Sequence, residues 1–194
     1  MTTNQKKTGY QMSNNLIHSL VLDQSTTTVG WAVINNDPEH VVGYGVNGRL
    51  INHGVITTPK NLDAFGRICV IESDLKHLLK AFPMVSEVIV EDLANISQLT
   101  GSTQQALAWV LFAIEKLCRE NKLALFKQNP ATVKKIATTN GKADKEQMKQ
   151  AAMELWDLSQ VFDDNHADAL CGAYAWLFQG DEKRLPKVRK LTKN

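Results

Sequence analysis

The stretch that most restricts this chain runs from Leu16 to Asn35. Two apolar, β-branched segments, Leu16 to Asp23 and Val29 to Asn35, are parted there by the hydroxyl-rich turn QSTTT. Runs of this kind bounded by turn formers read as strands. A link that short joins them antiparallel, because a parallel return needs a crossover of a dozen or more residues. A third run, RLINHGVITT over 49–58, follows a segment rich in turn formers in which Val41 and Val42 make a short extension. The chain is therefore expected to open as an antiparallel meander, with Asp23 closing its first strand.

An acid in that place has three readings. It can hold a divalent cation, since carboxylate oxygens are the preferred ligands of hard metals. The Ser/Thr-rich turn behind it can instead wrap a nucleotide phosphate with N–H and hydroxyl donors, or Asp23 can simply cap its own turn. Length argues against the phosphate loop: 194 residues suffice for one well-buried α/β domain but not for the two large lobes of a sugar kinase or actin-like ATPase. With 43% apolar and 22% charged residues the chain has the balance of an ordinary globular protein. Its apolar runs fall far short of a membrane span, so no membrane association and a cytoplasmic location are expected. Cys69, Cys118 and Cys171 are odd in number, widely spaced and set in apolar helical contexts, which predicts reduced core residues rather than disulfides or a zinc site.

After the meander, apolar positions at helical spacing from Leu62 to Phe82, including Phe65, Ile68, Cys69 and Leu75, predict a helix that ends before Pro83. SEVIVED over 86–92 is a fourth strand. Thr103 to Arg119 is a second helix, with Ala106, Trp109, Val110, Ala113, Ile114 and Leu117 on one face. LALF over 123–126 is a fifth strand, Asn129-Pro130 opens a third helix, and two more follow from Asp144 to Leu158 and from about Asp164 to Gln179. Residues 1–15 read as a disordered polar lead, 16–180 as one domain and 181–194 as a basic tail. The order of elements resembles the ribonuclease H-like fold, an α/β fold with a five-stranded mixed sheet flanked by helices.

In such a sheet, with the fourth strand parallel to the first, Asp23 and Glu91 emerge at one edge. Asp92 neighbours Glu91, and strand alternation alone leaves either free to face the site. Asp168 begins an apolar stripe of Leu170, Cys171 and Tyr174 in DDNHADALCGAYAW, where an acid is equally explained by the helix dipole. Together the three acids suit two divalent ions about 4 Å apart, which activate a water and stabilise the leaving oxygen in phosphodiester hydrolysis. Net charge is only +2, but Lys127, Lys134, Lys135, Lys142, Lys145 and Lys149 cluster within 23 residues, and the tail EKRLPKVRKLTKN is basic again. Basic clusters around a small acidic site suit a protein that holds a polyanion.

Four motifs in order, LDQSTTTVGWAVI, VIVED, PATVKKIATTNGKADKEQM and DDNHADALCGAYA, resemble the RuvC Holliday-junction resolvases, in particular the divergent versions found in phages. The likeness runs from Leu16 to about Phe178. It implies a homodimer in the cytoplasm of a bacterium or a phage-infected host, nicking branched DNA symmetrically to leave 5′-phosphate and 3′-hydroxyl ends. It also implies two Mg2+ per site, for which Mn2+ can substitute. Asp23, Glu91 and Asp168 take the roles of metal ligands. The family places an aspartate or histidine three positions before the last aspartate, where this chain has Asn165; of Asp164, Asn165 and His166, Asp164 is preferred as fourth ligand because it shares a helical face with Asp168. Lys145 is expected at the reacting phosphate, with Lys134, Lys135 and Lys142 on DNA. The loop LANISQLTGS offers Leu93, Ile96 and Leu99 where the family often presents an aromatic wedge. The Trp109, Val110 and Ile114 stripe serves either the dimer or the core. Rival readings are another ribonuclease H-like nuclease acting on flaps, forks or RNA–DNA hybrids, and an inactive junction-binding protein.

Overall fold

A computed structural model describes residues 17–36, 47–93 and 101–178. The polar lead, the basic tail, Val41, Val42, Ile96 and Leu99 lie outside the described residues. The meander forms as β1 (His18–Asp23), β2 (Thr28–Asn35) and, after a 3-10 turn, β3 (Leu50–Thr57). It is followed by α1 (Ala64–Ala81), β4 (Val85–Glu91), α2 (Gly101–Glu120) and β5 (Ala124–Gln128). Three helices close the described chain: α3 (Pro130–Thr138), α4 (Lys145–Trp156) and α5 (Asp164–Phe178).

Local chemistry sets several of these boundaries. The Asp63 carboxylate accepts from the Gly66 N–H at 2.7 Å and starts α1. Asn129 Oδ1 accepts from the N–H groups of Ala131 and Thr132 ahead of α3, whose first residue is proline. Asp144 and Gln147 cap α4 reciprocally.

The sheet order is β3-β2-β1-β4-β5. β1 pairs antiparallel with β2 and β2 with β3, whereas β4 runs parallel to both β1 and β5. Alternation along the strands divides the core in two. Leu20, Leu22, Val88 and Val90 pack with α1 and α2, while Val21, Ala32, Ile34 and Ile89 pack with α3, α4 and α5. Asp23 and Glu91, in phase with Val21 and Ile89, therefore turn to the α5 face. Among the described residues no helix is long and apolar enough to cross a membrane.

Three apolar expectations change. The buried stripe of α1 is Ile68, Ile71 and Leu75; Phe65 in its first turn is exposed, and so is Cys69 on its flank, whereas Cys118 and Cys171 are buried. On α2, Val110 and Ile114 are core, but Trp109 lies about 100° round the helix from Val110 and is 41% exposed. Phe112 is more exposed still.

Candidate active site

Parallel neighbours bring their C-terminal ends to the same edge, so β1 and β4 deliver Asp23 and Glu91 side by side. α5 crosses this face and supplies Asp168. The three carboxylates line one cleft of about 160 Å³, together with Lys134, Gln128 and Gly172. Burial, then the charges of Asp168 and Glu91, drive Asp23 well above the ordinary carboxylate range, and a hydrogen bond with Glu91 adds to this. Burial is also the main cause that pushes Asp168 up to about 6, opposed by Lys134 and reinforced by Glu91 and Asp164. Hard oxygen donors that are crowded, buried and mutually repelling fit a divalent cation. Among the described residues no three His, Cys, Asp or Glu side chains already close into a metal cage.

α5 reaches this position because its face is made of small residues and because β2 has glycine where the helix begins. Gly30 pairs with Asp23 across β1 and β2. A Cβ on Gly30 would lie 1.9 Å from the Asn165 carbonyl oxygen, so only glycine admits the start of α5. Asn165 Nδ2 then donates to the Thr28 carbonyl at 2.9 Å, tying the helix to β2. Further along, Gly172 sits close over Val21 and Gln128.

The neighbours of Asn165 are engaged elsewhere. Asp164 pairs with Lys145 at 2.5 Å and Lys149 at 2.8 Å, and these ammonium groups hold its carboxyl below the usual range. It is not among the residues lining the cleft, and would complete the acidic set only by leaving both lysines. His166 is fully buried, its ring stacked between His53 and Phe162. Its Nε2 meets His53 Nδ1 at 2.8 Å, and its Nδ1 accepts from the Phe162 N–H at 3.0 Å. Burial foremost, then His53, brings His166 down to about 4, so it is neutral at pH 7. Asp163, which sequence reasoning passed over, caps the His166 N–H and acts on Asp23 by its charge.

Of the basic residues, Lys134 lines the cleft. Lys145 is 76% exposed beside it in the α4–α5 ion-pair cluster, and Lys135 and Lys142 are exposed on α3 and the following turn. Leu93, just past β4, is half-buried. Asp92 points its N–H at the Gln128 carbonyl and extends the β4–β5 pairing. Two contributors were missed from sequence, one of them with a faint signal. Glycine inside a strand, as at Gly30, marks a close approach of backbone. Gln24, next to Asp23, hydrogen-bonds the Glu91 backbone, which no pattern in QSTTT announces.

A mixed sheet with acids at the shared edge of its first and fourth strands, faced by a third acid on the last helix, defines a protein of the ribonuclease H-like class. Within that class the chain belongs to the RuvC family: the family model for crossover junction endodeoxyribonuclease RuvC matches residues 20–175. The chain is 31% identical over 154 residues to the crossover junction endodeoxyribonuclease RuvC of Thermosipho melanesiensis, covering 74% of this chain and 94% of that one. Its fold is similar to that of T. thermophilus RuvC in complex with a Holliday junction substrate, with a TM-score of 0.64, 21% identity, and 82% and 92% of the two chains covered. It is also similar to the yeast mitochondrial Holliday junction resolvase Ydc2, with a TM-score of 0.56, 13% identity, and 84% and 78% covered.

Proposed function

We propose that the protein is a structure-selective DNA endonuclease that resolves four-way junctions by paired, symmetric nicks. The observation that carries this is the cleft itself, in which carboxylates from β1, β4 and α5 meet beside Lys134. Membership of the RuvC family, and the junction bound by the T. thermophilus relative, support the choice of substrate.

Asp23, Glu91 and Asp168 are the residues that would hold the metal. When bound, two Mg2+ ions, or Mn2+ in their place, supply the Lewis acidity that makes water a nucleophile at neutral pH. Lys134, which lines the cleft where Lys145 does not, would take over from Lys145 the role expected at the reacting phosphate and stabilise negative charge as it grows there. Lys145, Lys135 and Lys142 hold the sugar–phosphate backbone, so binding is expected to weaken steeply with salt and to carry little sequence information. Asp164 keeps Lys145 and Lys149 at the rim of the cleft. Symmetric nicking of two strands needs two sites, and a homodimer provides them. The products are 5′-phosphate and 3′-hydroxyl ends.

The test is cleavage of an immobile four-way junction with Mg2+, beside linear duplex, fork and RNA–DNA hybrid, by the wild type and Asp23→Asn. Paired symmetric nicks on the junction, lost in the variant while binding persists, are expected. Preferred cutting of the hybrid or fork, or junction binding with no cleavage in Mg2+ or Mn2+, would overturn the proposal.

A further inference from the structure

Parallel pairing of β1 with β4 runs as far as Leu22 and Val90 and stops there. One residue on, both strands carry acids on the same face. A residue of a parallel strand turns its N–H and C=O to the same neighbour. At Glu91 that neighbour should be β1, since Asp92 directs its N–H the other way, to Gln128 on β5. Past Leu22 the group that meets the Glu91 backbone is the side chain of Gln24. Gln24 Oε1 accepts from the Glu91 N–H at 3.0 Å, and Gln24 Nε2 donates to the Glu91 carbonyl at 2.7 Å. Gln24 is buried, at 7% exposure.

The geometry points to Gln24 as the positioning residue of the acidic site: its amide carries the link between β1 and β4 past the last strand pair and fixes Glu91 relative to Asp23. This rests on the reading of the cleft as a metal site. The chemistry of glutamine matches the task closely. A primary amide offers the donor and acceptor of a peptide group without charge. Asparagine is a methylene too short for the gap. Glutamate would set another carboxylate beside Asp23 and oppose the Glu91 carbonyl with an acceptor. Asp23 and Gln24 thus divide the work, one facing the cleft and the other keeping the opposite acid in reach. A supporting group of this kind matters to metal affinity about tenfold or more.

The experiment titrates Mn2+ calorimetrically into the full chain without DNA, for the wild type, Gln24→Met and Gln24→Asn, and follows amide exchange at Glu91. Gln24→Met is expected to lower Mn2+ affinity about tenfold and to speed exchange of the Glu91 amide. It should raise the Mn2+ concentration for half-maximal nicking by a similar factor, yet leave junction affinity in EDTA within about twofold. Gln24→Asn should move in the same direction, and it decides the matter should Gln24→Met not fold. Mn2+ affinity within about twofold of wild type in a folded variant overturns the role of Gln24 alone. Absence of Mn2+ uptake by the wild type overturns the metal-site reading, and this inference with it, before any variant is compared.

Discussion

Glu87 and Glu91 lie on the same strand and the same face of the sheet, yet they live under opposite conditions. Four residues of β4 separate them by about 13 Å. α5 runs back along that distance, offering Asp168 at one end and, about 12 Å further on, Trp176 at the other. Glu87 receives three donors on one oxygen, from the Ser19 hydroxyl, Asn36 Nδ2 at 3.2 Å and Trp176 Nε1 at 2.8 Å. Glu91 meets Asp23 and Asp168 instead. A half-buried acid with donors holds elements together, whereas an acid left among acids costs stability unless a cation arrives. The same residue type on one strand thus serves the fold at one end and the chemistry at the other.

The sharpest way to break this comparison is to neutralise both. Glu91→Gln should lower junction nicking by about a thousandfold or more without loss of the folded state. Glu87→Leu should leave nicking within a few-fold and cost about 2–4 kcal/mol in denaturant unfolding, since it strands the buried Ser19 hydroxyl and the Trp176 indole. Equal effects of the two on both readouts would erase the distinction. Next, Gly30→Ala puts a methyl group into the Asn165 carbonyl and must lift the start of α5 from β2. A cost of about 2–4 kcal/mol and loss of nicking together are expected, measured by urea unfolding and junction cleavage.

A smaller effect tests the repulsion itself. Asp168 rises to about 6 in the folded protein, so between the ordinary carboxylate value and that point the folded state holds a proton that the unfolded chain has released. Its contribution is complete at acid pH and is lost as pH climbs through about 6. In EDTA at pH 8, Asp168→Asn should therefore be more stable than wild type by about 1–2 kcal/mol, and the gain should shrink toward pH 5. Added Mg2+ should raise the melting temperature of the wild type and not of the variant, by scanning calorimetry. The smallest change is expected from Asp164→Asn. If Asp164 only keeps Lys145 and Lys149 in place, nicking falls less than about tenfold and the melting temperature hardly moves. A loss of about a hundredfold or more would assign Asp164 to the metal instead.

Asp23 and Glu91 were legible because each ends a β-branched run; the adjacency of the first and fourth strands came from the resemblance to the ribonuclease H-like fold, and the sheet has it. Asp168 was legible through the apolar stripe that follows it. Between Glu91 and Asp92 alternation read from the sequence left either free and only the VIVED motif favoured Glu91; in the structure Glu91, in phase with the buried Ile89, faces α5. The spacing of Asp164 and Asp168 gave no view of α4, whose Lys145 and Lys149 draw Asp164 away from the cleft. Trp109 was grouped with Val110 and Ile114 because a stripe read from sequence has no sharp edges, and only packing against the sheet reveals where it stops.

The amino-acid sequence by itself determined the succession of strands and helices, the caps that begin α1, α3 and α4, and the three acids at element ends. These depend on periodicity and on contacts within a few residues. Tertiary structure alone decided that Gln24 reaches Glu91, that Gly30 makes room for α5, that His166 is locked between two rings, and that Glu87 is satisfied while Glu91 is not. Each of those joins residues far apart in the chain, through atoms whose partners are chosen only when β1, β4 and α5 come together.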